Sequence, residues 1–359
     1  MNKDAETFLY ELLNTPSPTG FEVKGQRVWA NRCREFADSV DSDSYGSAWA
    51  TIKGADDSAP TVMIEAHADE IGFMVNYITE EGFLHLDRIG GSDWATARGR
   101  RITFFGDEGE VLGIIGNTAI HIRDRKDGEK APEVHELFVD IGAKSAKEVE
   151  EMGIRVGHPG VYSDSAIPFG KNGIVGRALD NRIGGFIISE VIRRLSESDN
   201  RPTPTCIALN AVQEEIGGFG ATMASYALKP DLCLVLDVTH ATDSPDIKHT
   251  QHGKIALGGG PSVTHGTANH PKIVERIIEL AKENNISLQH EASSRFTGTD
   301  TDSIYHVRGG IPSALVSLPL RYMHSIVEMA DFDDVENVIQ IMTAFVQSVK
   351  VNDSFAVEI

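Results

Sequence analysis

Apolar residues at helical spacing open the chain. Phe8, Leu9, Leu12 and Leu13 fall on one stripe and predict a helix over residues 5–13 that stops before Pro16 and Pro18. A second helix is expected over 22–36. From Gly72 to about Ser163 the texture changes to short alternating or apolar runs cut by glycine, over 73–78, 83–86, 101–105 and 111–114. Runs of that length, separated by Gly, Asp and Glu, predict a small β-rich unit. It occupies 72–163 and is inserted into a larger domain made of 1–71 and 164–359.

After Gly176 the pattern becomes that of alternating strands and helices. Ile183, Ile187, Val191 and Leu195 recur every four residues, which predicts a helix over 181–195 that packs on a sheet. Apolar strands are expected over 206–212, 232–236 and 314–318, with another near 287–290. Helices are expected over 220–227, 272–284, 302–306 and 333–349. This rhythm implies an α/β fold, a mostly parallel mixed sheet flanked by helices.

With 359 residues the chain exceeds a usual single core, and 41% hydrophobic residues suffice for two. No run is long and apolar enough to span a bilayer, and residues 1–6 are acidic, so a soluble, cytoplasmic protein is expected, with no membrane partner. Acidic residues outnumber basic ones by 53 to 33, a formal charge of −20, which disfavours nucleic acid as a partner. Cys33, Cys206 and Cys233 are odd in number and scattered, two of them inside apolar runs, and read as buried thiols.

The chemistry gathers where apolar runs end. Glu214 and Glu215 follow the run 206–212 and precede Gly217 and Gly218. Neighbours in extended chain point to opposite sides, so one glutamate can bind a metal while the other faces the water it activates. His67 and Asp69 follow the run 61–64, Asp237 follows 232–236 and His324 follows 314–318. Open α/β sheets bind ligands outside the carboxyl ends of their strands.

Each residue alone has an ordinary explanation. Asp180, before the helix expected at Asn181, would be an N-cap. His67 and Asp69 would be a surface turn, Asp237 a turn residue and His324 a packed core histidine. Together His67, Asp180, Glu215, Asp237 and His324 make a complete ligand set for two divalent ions. Nitrogen and oxygen donors without thiolate suit zinc, cobalt or manganese. Glu214 is then free to act as base, and Asp69 has the spacing to orient the His67 ring.

The segments 65–72 (EAHADEIG), 177–182 (RALDNR), 213–217 (QEEIG), 237–240 (DVTH) and 321–325 (RYMHS), with the early 16–22 (PSPTGFE), closely resemble the tetrahedral aminopeptidases, the glutamyl and deblocking aminopeptidase family. The likeness covers nearly the whole chain. It implies that His67 and Asp237 hold one metal, Glu215 and His324 the other, that Asp180 bridges them, that Glu214 is the general base and that Asp69 orients His67. It also implies that the β-rich insert serves dimerisation, and that dimers build a dodecameric, hollow tetrahedron acting on short peptides. The loop 298–302 (GTDTD) departs from the family pattern in having Thr301 where alanine is expected. Thr299, Asp300 and Arg321 are the candidates for substrate contact.

Two other functions fit the same residues. A carboxypeptidase or N-acyl deacylase would need a cation for a carboxylate, from Arg308 or Arg321, and a non-catalytic assembly protein would keep the metals structurally. His249, His252, His265 and His270 flank the glycine stretch 258–260 and are expected to be exposed or interface histidines, a third metal site being the alternative.

Overall fold

The computed structural model describes residues 1–122 and 131–359, so part of the expected insert, 123–130, lies outside the described residues. Helices α1 (Lys3–Asn14) and α2 (Val23–Cys33) lead to strands β1 (Ser39–Ser42), β2 (Ala48–Ile52) and β3 (Val62–His67). Next come β4 (Gly72–Ile78), β5 (Leu84–Ile89), β6 (Arg101–Gly106), β7 (Gly109–Ile115), β8 (Phe138–Asp140), α3 (Ala146–Glu151) and β9 (Pro159–Tyr162). The chain continues through β10 (Ile167–Phe169), β11 (Gly173–Gly176), α4 (Leu179–Glu197), β12 (Cys206–Ala211), α5 (Phe219–Leu228) and β13 (Leu232–His240). It ends with α6 (His249–His252), β14 (Ser262–His265), α7 (Pro271–Glu283), β15 (Gln289–Ala292), α8 (Asp300–Ile304), β16 (Ser313–Leu320), β17 (Glu328–Asp331) and α9 (Phe332–Ser348).

The main sheet has eight strands in the order β1-β2-β12-β3-β13-β16-β14-β15. Its centre is parallel, β12 to β3, β3 to β13 and β13 to β16, while β1, β2 and the β14–β16 pair introduce antiparallel neighbours. This is a mixed sheet flanked by helices. Strands β4, β5, β8, β7, β6 and β9 close into a separate small barrel around Phe73, Leu86, Ile102, Phe104 and Val139. The third sheet, β10-β11-β17, is short.

Local chemistry explains the element boundaries. The Asn2 side chain accepts the Ala5 N–H and caps α1, whose Phe8, Leu9, Leu12 and Leu13 are all buried. Helix α4 buries Ile183, Ile187, Val191 and Leu195 as the stripe predicts, and also Phe186, Ile188 and Ile192, because it runs between the sheet and helices α1 and α9. Strand β13 runs to His240, past the 236 expected from the apolar run, since Asp237 pairs with Ser317 and keeps the extended backbone. Asp237 is therefore a strand residue. Helix α8 begins at Asp300, earlier than 302, because the Thr299 hydroxyl accepts the Thr301 N–H and caps it there.

Candidate active site

Strand β3 ends in His67, which is 2% exposed. Its Nδ1 lies 3.1 Å from the backbone oxygen of Asp69 and 3.5 Å from the Asp69 carboxylate. Its Nε2 faces three carboxylates, 3.1 Å from Asp180 Oδ1, 3.7 Å from Asp237 Oδ1 and 3.9 Å from Glu214 Oε2. Across the site His324 Nε2 is 3.2 Å from Asp180 Oδ2 and 3.5 Å from Glu215 Oε2, with its Nδ1 3.1 Å from the Gly91 carbonyl. The two oxygens of Asp180 thus face one histidine each. Three groups offer donors that lie within 4.8 Å of one another: His67, Asp180 and Asp237; Asp180, Glu215 and His324; His67, Glu214 and Glu215.

Asp180 is free for this because it does not cap α4. Asp180 and Asn181 depart from helical dihedrals, and the Asn181 side chain takes over: Oδ1 accepts the Gly184 N–H and Nδ2 donates to the Leu236 carbonyl. The N-cap explanation of Asp180 fails on that geometry.

Two buried carboxylates clamp the loops that carry these donors. Asp69 accepts the backbone N–H of Glu214 at 3.0 Å, that of Glu215 at 3.2 Å and the Thr19 hydroxyl at 2.8 Å. Glu328, 1% exposed, accepts the N–H of Asp180 at 3.1 Å and of His324 at 2.8 Å. Gly91 completes the second histidine's seat, since a Cβ there would stand 2.4 Å from His324 Nδ1. Glu328, Gly91 and Thr19 have no motif or periodicity of their own that marks them in the sequence; only the early segment 16–22 hinted at Thr19.

The electrostatics are those of crowded carboxylates. Burial above all, then Asp300, Asp180 and Asp69, push Glu214 up to about 8 against the pull of His67. Burial and then Asp180 raise Glu215 well above the usual range, and Asp237 is raised by burial and the same neighbour. Asp180 moves the other way. Burial opposes it, yet hydrogen bonds with His324 and His67 hold it below the usual carboxylate range.

This donor set fits divalent cations. A carbonyl oxygen only accepts, so each histidine places an N–H at Nδ1 and presents Nε2 to carboxylate oxygens. A proton on Nε2 makes the hydrogen bonds that hold Asp180 down, and a divalent cation would take the place of that proton between the same nitrogen and oxygens. Glu215 Oε1 is buried without a hydrogen-bond partner. No Lys or Arg is among the described residues lining the adjoining cavity of about 800 Å³, where Asp180, Glu214, Glu215, Asp237 and His324 all appear.

The expected substrate contacts are dispersed. Thr299 lines the cavity. Asp300 is 1% exposed behind it and faces Glu65, carboxyl to carboxyl, so that the two bond through a proton held by one of them, with no other side chain reaching their oxygens among the described residues. Arg321 is outside the cavity lining and gives two hydrogen bonds to Asp243, at 2.8 and 2.7 Å. Thr301, fully buried, accepts the Thr299 hydroxyl, so the departure from alanine ties the loop to itself. His249 meets the Thr242 carbonyl and His265 meets His290; none of the four histidines joins a three-donor group among the described residues.

A mixed α/β sheet that gathers two histidines and four carboxylates beside an open cavity has the layout of a hydrolase centre. The profile of the M42 glutamyl aminopeptidases matches residues 46–341, and the chain belongs to that family. It is 36% identical to a lysyl aminopeptidase of Pyrococcus furiosus over 96% of this chain and 97% of that one. Its fold is similar to a TET aminopeptidase from a marine sediment archaeon of the Thaumarchaeota, with TM-score 0.91, 32% identity and 96% of each chain covered. The Pyrococcus horikoshii TET1 peptidase, which can assemble into a tetrahedron or a large octahedral shell, shares the fold at TM-score 0.83 and 24% identity, over 96% of this chain and 100% of that one. The activity class is therefore aminopeptidase, a peptide-bond hydrolase.

Proposed function

We propose that this aminopeptidase works with two divalent cations and a glutamate base on short peptides. The observation that carries this is Asp180, whose two oxygens face different histidines and make one carboxylate common to two donor groups. His67 and Asp237 would hold one ion, Glu215 and His324 the other, with Asp180 shared. Two such ions, when bound, supply a water of lowered pKa and polarise the scissile carbonyl. Glu214 takes the proton of the attacking water and returns it to the leaving amine. Asp69 holds the backbone of Glu214 and Glu215 in place and orients His67 through its carbonyl or its carboxylate.

A carboxypeptidase or deacylase is disfavoured, because Arg321 is committed to Asp243, Arg308 donates to the Tyr226 carbonyl, and no Lys or Arg lines the cavity among the described residues. Zinc or cobalt is the favoured metal, with manganese the third choice. Protein stripped by chelation should lose turnover of aminoacyl p-nitroanilides and recover it on reloading with one of the three. Full activity at zero metal content, or cleavage of N-acetylated peptides, would refute the proposal.

The insert, assigned to 72–163 between 1–71 and 164–359, serves dimerisation in this proposal. Support comes from the exposed Leu112, Ile114 and Ile120 on or beside the barrel and from the TET relatives. Dimers would then build a dodecamer whose shell admits short peptides. A native mass near twelve subunits is expected, falling on deletion of the insert, and a monomer at working concentration would end the idea. Among the described residues no helix is long and apolar enough to cross a membrane; a cytoplasmic location is part of the proposal.

A further inference from the structure

A side pocket of about 330 Å³ opens from the main cavity, and the two share Val238, Thr239, Phe296, Thr297 and Thr299 as walls. Its lining is rich in hydroxyls and contains one carboxylate, Glu291 of β15. That carboxylate is aimed: Oε1 accepts the Thr239 hydroxyl at 2.6 Å and Oε2 accepts the Ser262 hydroxyl. Hydroxyl donors orient a carboxylate without neutralising it, and further lone pairs remain on both oxygens. No basic side chain pairs with Glu291 among the described residues. A second group waits beside it. Ser317, 1% exposed, lines the pocket with an Oγ that is buried and has no hydrogen-bond partner.

The position relative to the donor clusters is fixed by β13. Asp237 and Thr239 point to the same face of that strand and are two residues apart, about 7 Å. Glu291, bonded to Thr239, therefore lies roughly one extended side chain away from the Asp237 carboxylate. The four-carbon stem of lysine spans such an interval and ends in three donors, which match Glu291, Ser317 and a neighbouring hydroxyl. An acidic side chain would bring like charge against Glu291. An aliphatic one would leave the Glu291 charge desolvated without a counter-charge and Ser317 still without a partner. The one Lys or Arg in the lining among the described residues, Arg295, is exposed, with its guanidinium 5.8 Å from the centre of the Phe296 ring.

We propose that the side pocket receives the side chain of the substrate's first residue and that Glu291 there selects lysine or arginine. The inference rests on the aminopeptidase function of the adjoining centre and adds the substrate class to it.

The test compares metal-loaded full-length protein with Glu291→Gln, Glu291→Asp and Glu291→Lys on lysyl, arginyl, leucyl and glutamyl p-nitroanilides. Wild type should favour the lysyl and arginyl substrates over leucyl by about 10-fold or more in kcat/KM. Glu291→Gln should lower the two basic substrates by about 10- to 100-fold, mainly through KM, and leave the leucyl substrate within about threefold. Glu291→Asp, the variant least disturbing to the strand, should hurt lysine more than arginine, whose reach is longer. Glu291→Lys should move preference toward glutamate. A lysyl-to-leucyl ratio equal in wild type and Glu291→Gln, or a wild-type preference for the glutamyl substrate, overturns the assignment. Calorimetric binding of lysine amide against leucine amide reads the pocket independently of turnover. Absence of all turnover with selective lysine amide binding would count against the catalytic proposal alone, whereas turnover with no lysine selectivity in either measurement would count against Glu291 alone.

Discussion

Glu214→Gln should keep its metals and lose its turnover, with kcat reduced by roughly 10²–10⁴-fold and KM little changed. The amide occupies the space of the carboxylate but cannot accept a proton from water at neutral pH. The backbone at this position is held by Asp69 through the N–H groups of Glu214 and Glu215, which the substitution leaves intact. The fold therefore has no reason to move. The measurement pairs kcat with metal content by mass spectrometry, because His67, Glu214 and Glu215 also form a three-donor group. Loss of one metal together with activity would make Glu214 a ligand. Near-normal turnover in a fully metallated variant would remove it from the mechanism altogether.

What the sequence disclosed of this molecule follows the range of the forces involved. Helix α1 and helix α4 were legible because burial of one face imposes a period, and Phe8, Leu12, Ile183 and Val191 display it. The pair Glu214–Glu215 was legible because β12 is a run of buried residues that ends just before it. Strands β1 and β2 were not anticipated, since β1 is short and largely exposed and β2 alternates buried with half-buried positions over only five residues. The barrel's closure depends on pairings such as β5 with β8, across a separation that leaves no local mark.

The candidate donors could be picked out as His and carboxylate residues where apolar runs end, with Asp180 before a helix; the side chains that hold their backbone could not. Glu328 and Asp180 are separated by 148 positions, yet the Glu328 carboxylate bonds the Asp180 N–H and, through its other oxygen, the His324 N–H. A bond from a side chain to a distant backbone has no spacing rule. Asp300 illustrates the reverse: it sits in a conspicuous polar segment, but capping by Thr299 turns it inward against Glu65 rather than toward the cavity.

Because one carboxylate is common to two donor groups, Asp180→Ala should weaken both metals, whereas His324→Ala should weaken one. Deleting Asp180 leaves His67 Nε2 with Asp237 and Glu214 at 3.7 and 3.9 Å, and His324 Nε2 with Glu215 at 3.5 Å, so each group is short of a donor. Deleting His324 leaves His67, Asp180 and Asp237 untouched as a group. Loss of an outer partner of a ligand typically costs 10- to 100-fold in affinity, so loss of a direct ligand should cost about 100-fold or more. Dialysis against buffered metal at a fixed free concentration, followed by mass spectrometry, should give less than one ion per chain for Asp180→Ala and close to one for His324→Ala. Asp180→Asn serves as the folding control, since it keeps the side-chain volume and one oxygen acceptor toward the histidines. If Asp180→Ala retains two ions at native affinity, its carboxylate merely partners two histidines in the fold, and the shared-ligand centre does not exist.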